Sequence, residues 1–247
     1  LSNIEPHIHP NCTILIAGMV KHLPKNLWAV LEQQFGPTHT SLAAKKAKII
    51  TLTYEKNRSH LKYPSTFQYE NFIICNHASV FSKNSIDIGT RFLLENLPVL
   101  NKTNDIVDLG CGNGIVGLYL ANLYPKAHLT LTDESYMAVA SAQLTLQKNL
   151  NQLKTIQFKV NNCLDGFDRE SVDLIVCNPP FHQSHNVGIQ TALNMFTQSF
   201  EILRKKGHLI VIANRHLPYF THLKRIFGKV INLASNQKFI IYLVQKS

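Results

Sequence analysis

Ile106-Val-Asp-Leu-Gly-Cys-Gly-Asn-Gly-Ile-Val-Gly117 is the stretch that decides the fold. An apolar run broken by one acid ends in three closely spaced glycines and continues with apolar residues at helical spacing: a buried strand, a tight turn, a helix. Gly110, Gly112 and Gly114 permit conformations and close approaches that a Cβ forbids, beside a helix N-terminus that carries partial positive charge. That is the layout of a nucleotide-type pocket. Glycines that only make a tight strand-to-helix turn are the competing reading, and the triplet alone does not separate the two.

Outward from this turn, short runs of Val, Ile and Leu alternate with helix-spaced segments, the pattern of strand–helix–strand units feeding a mostly parallel sheet. Strands are expected at 105–109, 128–132, 156–160, 172–177, 208–213, 230–233 and 239–244, and helices at 115–123, 135–149, 189–203 and 217–227. The last two strands lie too close together for a crossover helix, so at least one runs antiparallel. The expected class is α/β: a seven-stranded Rossmann-like sheet, mostly parallel with one antiparallel strand.

Residues 1–70 read differently. A strand-like 13–18, a helix around 27–35 and an extended 48–54 are too few for a nucleotide-binding domain and look like the end of a larger one; Leu1 in place of Met agrees with that. The polar stretch Glu55-Lys-Asn-Arg-Ser-His-Leu-Lys-Tyr-Pro64 is the natural linker. It divides the chain into a remnant N-terminal domain over 1–64 and a main domain over 65–247, with 72–81 and a helix over 87–97 covering one end of the sheet.

A hydrophobic fraction of 45% with 16% charged residues over 247 residues is that of a packed globular chain and excludes extended disorder, fibres and disulfide-knotted miniproteins. The formal net charge is +10, spread through both parts with no basic tail. No apolar run nears the ~18–20 residues that cross a bilayer, and Leu1-Ser-Asn-Ile-Glu-Pro-His-Ile-His-Pro10 lacks the basic and apolar regions of an export signal. Cys12, Cys75, Cys111, Cys163 and Cys177 form no CxxC pair or Cys/His cluster, so they read as reduced thiols of a cytoplasmic protein without a metal site.

The match of Gly112-Asn-Gly-Ile-Val-Gly117 to GxGxxG brings in a nicotinamide-dependent dehydrogenase. Asp108, just ahead of the glycines, opposes it, because a carboxylate there meets a cationic amino group better than a pyrophosphate; a second substrate domain is also missing. Asp133, in Leu131-Thr-Asp-Glu-Ser135, can accept from both ribose hydroxyls of either cofactor, with an N-cap as its competing role. Asn162 follows the third strand, where an adenine edge would lie, and Asn161 is the competing assignment.

Val176-Cys-Asn-Pro-Pro-Phe-His182 follows the fourth strand at the carboxyl edge, where open α/β sheets bind ligands. Two prolines fix the backbone and withhold N–H donors. An amine on a nucleobase is a poor nucleophile because its lone pair is delocalised into the ring. The Asn178 side-chain oxygen and the Pro179 carbonyl can hold its two hydrogens and turn the lone pair towards an electrophile. Phe181 then offers a face for the base, worth ~1–3 kcal/mol. A proline-stiffened loop with a capping Asn competes for Asn-Pro-Pro alone, and loses ground behind a glycine turn and an acidic second strand.

Together Asp108-Leu-Gly-Cys-Gly-Asn-Gly114, Thr132-Asp-Glu-Ser135 and Asn178-Pro-Pro-Phe181 resemble the class I S-adenosylmethionine-dependent methyltransferases that act on exocyclic or amide nitrogens. With His182, the loop is similar to the ribosomal RNA guanine-N2 enzymes; the DNA adenine and protein glutamine enzymes more usually carry Tyr in place of Phe181. Val80-Phe-Ser-Lys-Asn-Ser-Ile-Asp-Ile-Gly89, Ala213-Asn-Arg-His-Leu-Pro-Tyr-Phe220 and Phe35-Gly-Pro-Thr-His-Thr40, with Ala43-Ala-Lys-Lys-Ala47 behind it, are similar to segments of the large-subunit (23S) members. The resemblance covers almost the whole chain.

It implies S-adenosylmethionine as cofactor, with Asp108, Gly110, Gly112 and Gly114 at its methionine part, Asp133 at its ribose and Asn162 at its adenine. Asn178, Pro179 and Phe181 would present guanine, in a catalytic domain over 65–247, and residues 1–64 would end an inactive relative of the same fold that helps hold RNA. The implied reaction is methyl transfer to N2 of a guanine in 23S rRNA. A 16S rRNA enzyme of the same family is the near alternative; a nicotinamide-dependent oxidoreductase and a non-catalytic RNA-binding factor are remoter. Lys83, Arg91, Arg215, Lys224 and Arg225 are the candidate phosphate contacts, although a solvated helix face explains Lys224 and Arg225 nearly as well. His182, His185 and His216 invite assignment as general bases, yet a neutral amine can attack a sulfonium before losing its proton, so the chemistry requires none of them.

Overall fold

The computed structural model describes residues 8–55, 63–80, 85–180 and 185–247, the side chains of 185–187 excepted. Expectations resting on Lys83, Phe181, His182 and the His185 side chain lie outside the described residues. The chain divides into two compact units, Leu1–Tyr63 and Pro64–Ser247.

In the first unit, β1 (Thr13–Met19), α1 (Leu27–Gln34), β2 (Thr38–Thr40) and β3 (Ala47–Thr53) follow in order, the strands pairing antiparallel as β1-β3-β2. Alternation builds its core: Ile50 and Leu52 of β3 turn inward with Tyr54 onto Leu31 and Phe35. β2, Thr-His-Thr, has no apolar residue to reveal it in the sequence.

The second unit runs β4 (Ser65–Tyr69), β5 (Phe72–Asn76), α2 (Ile88–Glu95), β6 (Asp105–Leu109), α3 (Ile115–Leu123), β7 (His128–Asp133), α4 (Tyr136–Asn149), β8 (Ile156–Val160), β9 (Val172–Cys177), α5 (His185–Ile202), β10 (Leu203–Asn214), α6 (Tyr219–Phe227), β11 (Val230–Ser235) and β12 (Phe239–Gln245). β4 and β5 form a hairpin where a single covering stretch over 72–81 was expected. The edge of β5 that β4 leaves unpaired is satisfied by a helix. Ser141 Oγ, Thr145 Oγ1 and Asn149 Oδ1, one turn apart along α4, accept from the amides of His77, Cys75 and Ile73 at 2.8, 3.0 and 2.9 Å. Asn149 Nδ2 donates back to the Ile73 carbonyl at 2.8 Å. Polar positions on α4 thus close backbone groups that burial would otherwise leave unpaired.

Seven strands form one sheet in the order β11-β12-β10-β9-β6-β7-β8, parallel except for β12, which is antiparallel to both neighbours. Successive residues of the central strands face opposite layers: Ile106 and Val176 join the cluster with Leu118 and Leu146 from α3 and α4, and Val107 and Ile175 the cluster with Phe196 and Tyr219 from α5 and α6. Burial on both faces is why these strands read as continuous apolar runs.

The chain steps from β6 to β8 on one side and returns to β9 on the other, so the switch in strand order lies between β6 and β9. Leu109 and Cys177 are register partners there. The residues that follow them are Gly110 and Asn178, and the two motifs leave the sheet side by side.

Gly114, the N-cap of α3, sits at φ 80, and a Cβ on it would lie 2.7 Å from the Ala142 Cα of α4. On Gly112, at φ 54, a Cβ would meet nothing within 4 Å. Gly114 serves helix packing and Gly112 leaves open space. Gly114→Ala is therefore expected to destabilise by about 2–4 kcal/mol, since overpacking adds to left-handed strain, and Gly112→Ala by about 1–2 kcal/mol from strain alone. Urea denaturation of the two variants makes the comparison.

Candidate active site

The carboxyl edge opens into a cavity of about 370 Å³, within the range of small-ligand pockets. The glycine turn forms its floor. Asp133 and Glu134 contribute from the end of β7, Asn161 and Cys163 from beyond β8, Asn178, Pro179 and Pro180 from beyond β9, and Asp87 and Thr90 from the start of α2. Asp87, Asp108, Asp133 and Glu134 all line it, and among the described residues no Lys or Arg does. In a chain of net charge +10 this is a local reversal of sign, and such a cavity selects a cation.

The backbone of the turn points the same way. The amides of Gly110 and Cys111 donate to the Thr132 carbonyl at 2.9 and 3.0 Å, that of Gly114 to the Cys111 carbonyl at 2.8 Å, and that of Gly112 to Asp133 Oδ2 at 3.0 Å. A pyrophosphate needs such amides free and aimed at it. Here these four are used internally, which weighs against the dinucleotide reading. Asp133 Oδ1 accepts from the Ser135 amide at 2.9 Å, so both oxygens are oriented by backbone and each keeps a lone pair for a ligand hydroxyl. The helix cap itself is Ser135, whose Oγ accepts from the Ala138 amide at 3.3 Å.

Asp108 is 3% exposed, and its Oδ2 has no hydrogen-bond partner among the described residues. Burial pushes its carboxyl up to about 7; the Gly117 amide works against this and the neighbouring Asp133 charge with it. A buried carboxylate with one oxygen unpartnered among the described residues and only a backbone amide to support it is destabilising, and a ligand ammonium would relieve it. Asn178 donates from Nδ2 to Thr90 Oγ1 at 3.0 Å, while its Oδ1 is buried with no partner among the described residues. The amide's oxygen is the end without an internal use.

Of the remaining expected site residues, Asn162 does not line the cavity; its Nδ2 donates to Asp165 Oδ2 at 3.0 Å. Asn161 lines it instead, its amide tied to the Asp133 carbonyl at 2.9 Å. Arg91 is exposed on α2 beside Thr90. Arg215 follows β10 at the same sheet edge, Nη1 donating to the Asn236 carbonyl at 3.0 Å. Lys224 and Arg225 occupy the last turn of α6, which descends towards the opposite edge, where β11 starts. His216 is exposed and outside the lining. Burial pushes the Cys111, Cys163 and Cys177 thiols up, so none offers a thiolate. Among the described residues no group of three metal-ligating side chains forms, and no helix is long and apolar enough to cross a membrane.

Thr90 and Asp87 are the site residues that the sequence reading missed. A helix starting at Asp87 was legible, and Asp87 Oδ2 accepts from the Thr90 amide at 3.0 Å. That the Thr90 hydroxyl meets a loop 88 residues away was not.

Residues 71–243 match the methyltransferase small domain, and residues 1–56 the RLMG N-terminal domain. The ribosomal RNA large subunit methyltransferase G of Pseudoalteromonas translucida is 40% identical over 250 residues, covering 100% of this chain and 65% of that protein. That of Vibrio cholerae is 41% identical over 252 residues, covering 100% and 67%. The chain thus spans about two thirds of the length of the relatives it matches. Among solved structures, a T. thermophilus 16S rRNA N2 G1207 methyltransferase in complex with AdoMet and guanosine superposes with a TM-score of 0.78 at 21% identity, over 97% of this chain and 66% of that one, a likeness of fold. An acidic cavity at the switch point of this sheet and a family match over residues 71–243 agree: the chain belongs to the methyltransferase small domain family.

Proposed function

We propose that this chain carries the catalytic domain of a cytoplasmic enzyme that transfers a methyl group from S-adenosylmethionine to the exocyclic N2 of a guanine in 23S rRNA. The observation that carries the reading is Asn178: a buried acceptor oxygen without a partner among the described residues, beside a cavity lined by four carboxylates. The relatives named for the large subunit, at 40–41% identity over the whole chain, favour 23S over 16S rRNA.

The residues present fit the cofactor. Asp108 Oδ2 would take the methionine ammonium, the open space over Gly112 admits close approach, and the spare lone pairs of Asp133 suit the ribose hydroxyls. Asn161, from the cavity wall, would meet the adenine in place of Asn162. When bound, S-adenosylmethionine supplies a methyl group on a positively charged sulfur.

Asn178 Oδ1 and the Pro179 carbonyl accept the two N2 hydrogens of guanine and hold its lone pair towards that methyl group. Holding reactants in such a geometry is worth on the order of 7–11 kcal/mol. The base must leave its stack to enter, as individually read RNA bases do, with the exposed Arg91 and Arg215 as candidate phosphate contacts.

The test is incubation with labelled S-adenosylmethionine and rRNA from a strain lacking the enzyme. Incorporation into 23S rRNA, mapped by mass spectrometry as N2-methylguanosine, is the expected result. Incorporation into 16S rRNA alone would replace the substrate, and NAD binding without S-adenosylmethionine binding would overturn the reaction class.

A further inference from the structure

We infer that Thr90 is a positioning residue for Asn178: its hydroxyl anchors the far end of the amide, so that the guanine amine meets Oδ1 at a fixed place. The inference rests on the reading of Asn178 given above. A primary amide is nearly symmetric in shape, and its terminal torsion is broad and roughly two-fold. Turned over, Asn178 would present N–H donors to an amine that also donates, and its role would be lost. Guanine's own donors therefore select the oxygen, and what the protein must supply is a fixed seat for the other end of the amide.

Thr90 Oγ1 supplies that seat, accepting from Asn178 Nδ2 at 3.0 Å. Guanine's donors at one end of the amide and the hydroxyl's lone pair at the other favour the same orientation. The hydroxyl is itself held in place. Thr90 is 7% exposed, and its own amide is capped by Asp87 Oδ2 at 3.0 Å. A Cβ on the preceding Gly89 would lie 3.1 Å from the Phe239 ring, so the first turn of α2 presses against the start of β12. A bond between groups 88 residues apart, one at a helix start and one on a proline-stiffened loop, has little freedom to slip.

Thr90→Val keeps the shape and removes the acceptor, Thr90→Ser keeps the acceptor, and Thr90→Ala removes it with less bulk should Val not fold. The readouts are kcat and KM on rRNA, the Kd of S-adenosylmethionine, and turnover of each variant combined with Asn178→Ala. Thr90→Val and Thr90→Ala are expected to lower kcat by about 10–100-fold, with KM and Kd within about twofold, Thr90→Ser to recover to within about threefold, and neither loss to add to that of Asn178→Ala. A kcat within twofold of wild type in Thr90→Val or Thr90→Ala, or a Ser variant as impaired as Val, overturns the inference. If the wild type itself transfers no methyl group to guanine, the proposed reaction falls and takes the inference with it; if the wild type transfers and Thr90→Val does equally well, the inference alone falls.

Discussion

Asn178→Ala is expected to lower the turnover of methyl transfer by about 10²–10³-fold while leaving the affinity for S-adenosylmethionine within about threefold of wild type. The magnitude is that of removing one preorganised polar group aimed at the reacting atoms. The variant loses the acceptor for the guanine amine and the bond to Thr90 Oγ1, and keeps the carboxylates and the glycine turn that would hold the cofactor. Folding should be little affected, because an oxygen with no partner among the described residues disappears along with the bond that is broken. A change of roughly 1 kcal/mol or less is expected in urea denaturation. Asn178→Asp is the informative companion: it keeps an acceptor but adds charge and loses the donor to Thr90, so it should fall between wild type and Ala. Single-turnover transfer from labelled cofactor separates chemistry from release, and an Ala variant within threefold of wild type would remove Asn178 from the mechanism.

The glycine turn, the acidic strand ends and the Asn-Pro-Pro loop were legible in the sequence because each is a local pattern with a local cause. Their convergence followed from strand order alone, since the switch between β6 and β9 puts the residues after Leu109 and Cys177 next to each other. What stayed hidden depends on contacts between distant segments. The β4–β5 hairpin turns through Glu70 at φ 51, without the glycine that would advertise it, and its free edge is closed by Ser141, Thr145 and Asn149, which in sequence are only polar positions on a helix. The start of β10 was hidden by Arg204-Lys-Lys-Gly207, where its pairing with β9 shifts register between Leu203 and His208. Asn161 and Asn162 are adjacent and chemically identical; in the loop after β8 both side-chain amides donate to Asp165, Asn161 to its carbonyl and Asn162 to its carboxylate, and of the two Asn161 lines the cavity. Net charge was a poor guide: an excess of Lys and Arg over the whole chain says nothing of where its acids gather, and Asp87 and Glu134 join Asp108 and Asp133 in the cavity wall only in the fold.

That acidity has a measurable pH signature centred on Asp108. In the protein without ligand its carboxyl is pushed up to about 7 from an ordinary 3.8, chiefly by burial. A carboxyl whose folded pKa lies above its unfolded one holds a proton in the folded state that the unfolded chain has already lost. Its contribution to stability is therefore greatest below pH 3.8 and is lost as pH rises towards 7, at up to about 1.4 kcal/mol per pH unit. Ligand binding runs the other way. An ammonium seated on Asp108 needs the carboxylate, so below pH 7 binding must expel the proton. The affinity for S-adenosylmethionine should then weaken about fivefold from about pH 7 to 6 and approach about tenfold per unit below that, while proton release approaches one per ligand. The window is read below pH 7 because α-amino groups themselves titrate near about 8. Calorimetry in buffers of different ionisation enthalpy measures both quantities. Asp108→Asn removes the titrating group: its affinity should be flat from about pH 5.5 to 7, lower than wild type at pH 7 by about 10²-fold for want of a charged partner, and the unliganded variant should be the more stable protein at that pH. A wild-type affinity that stays level below pH 7, with no proton released, would mean that the ammonium is held by something other than Asp108.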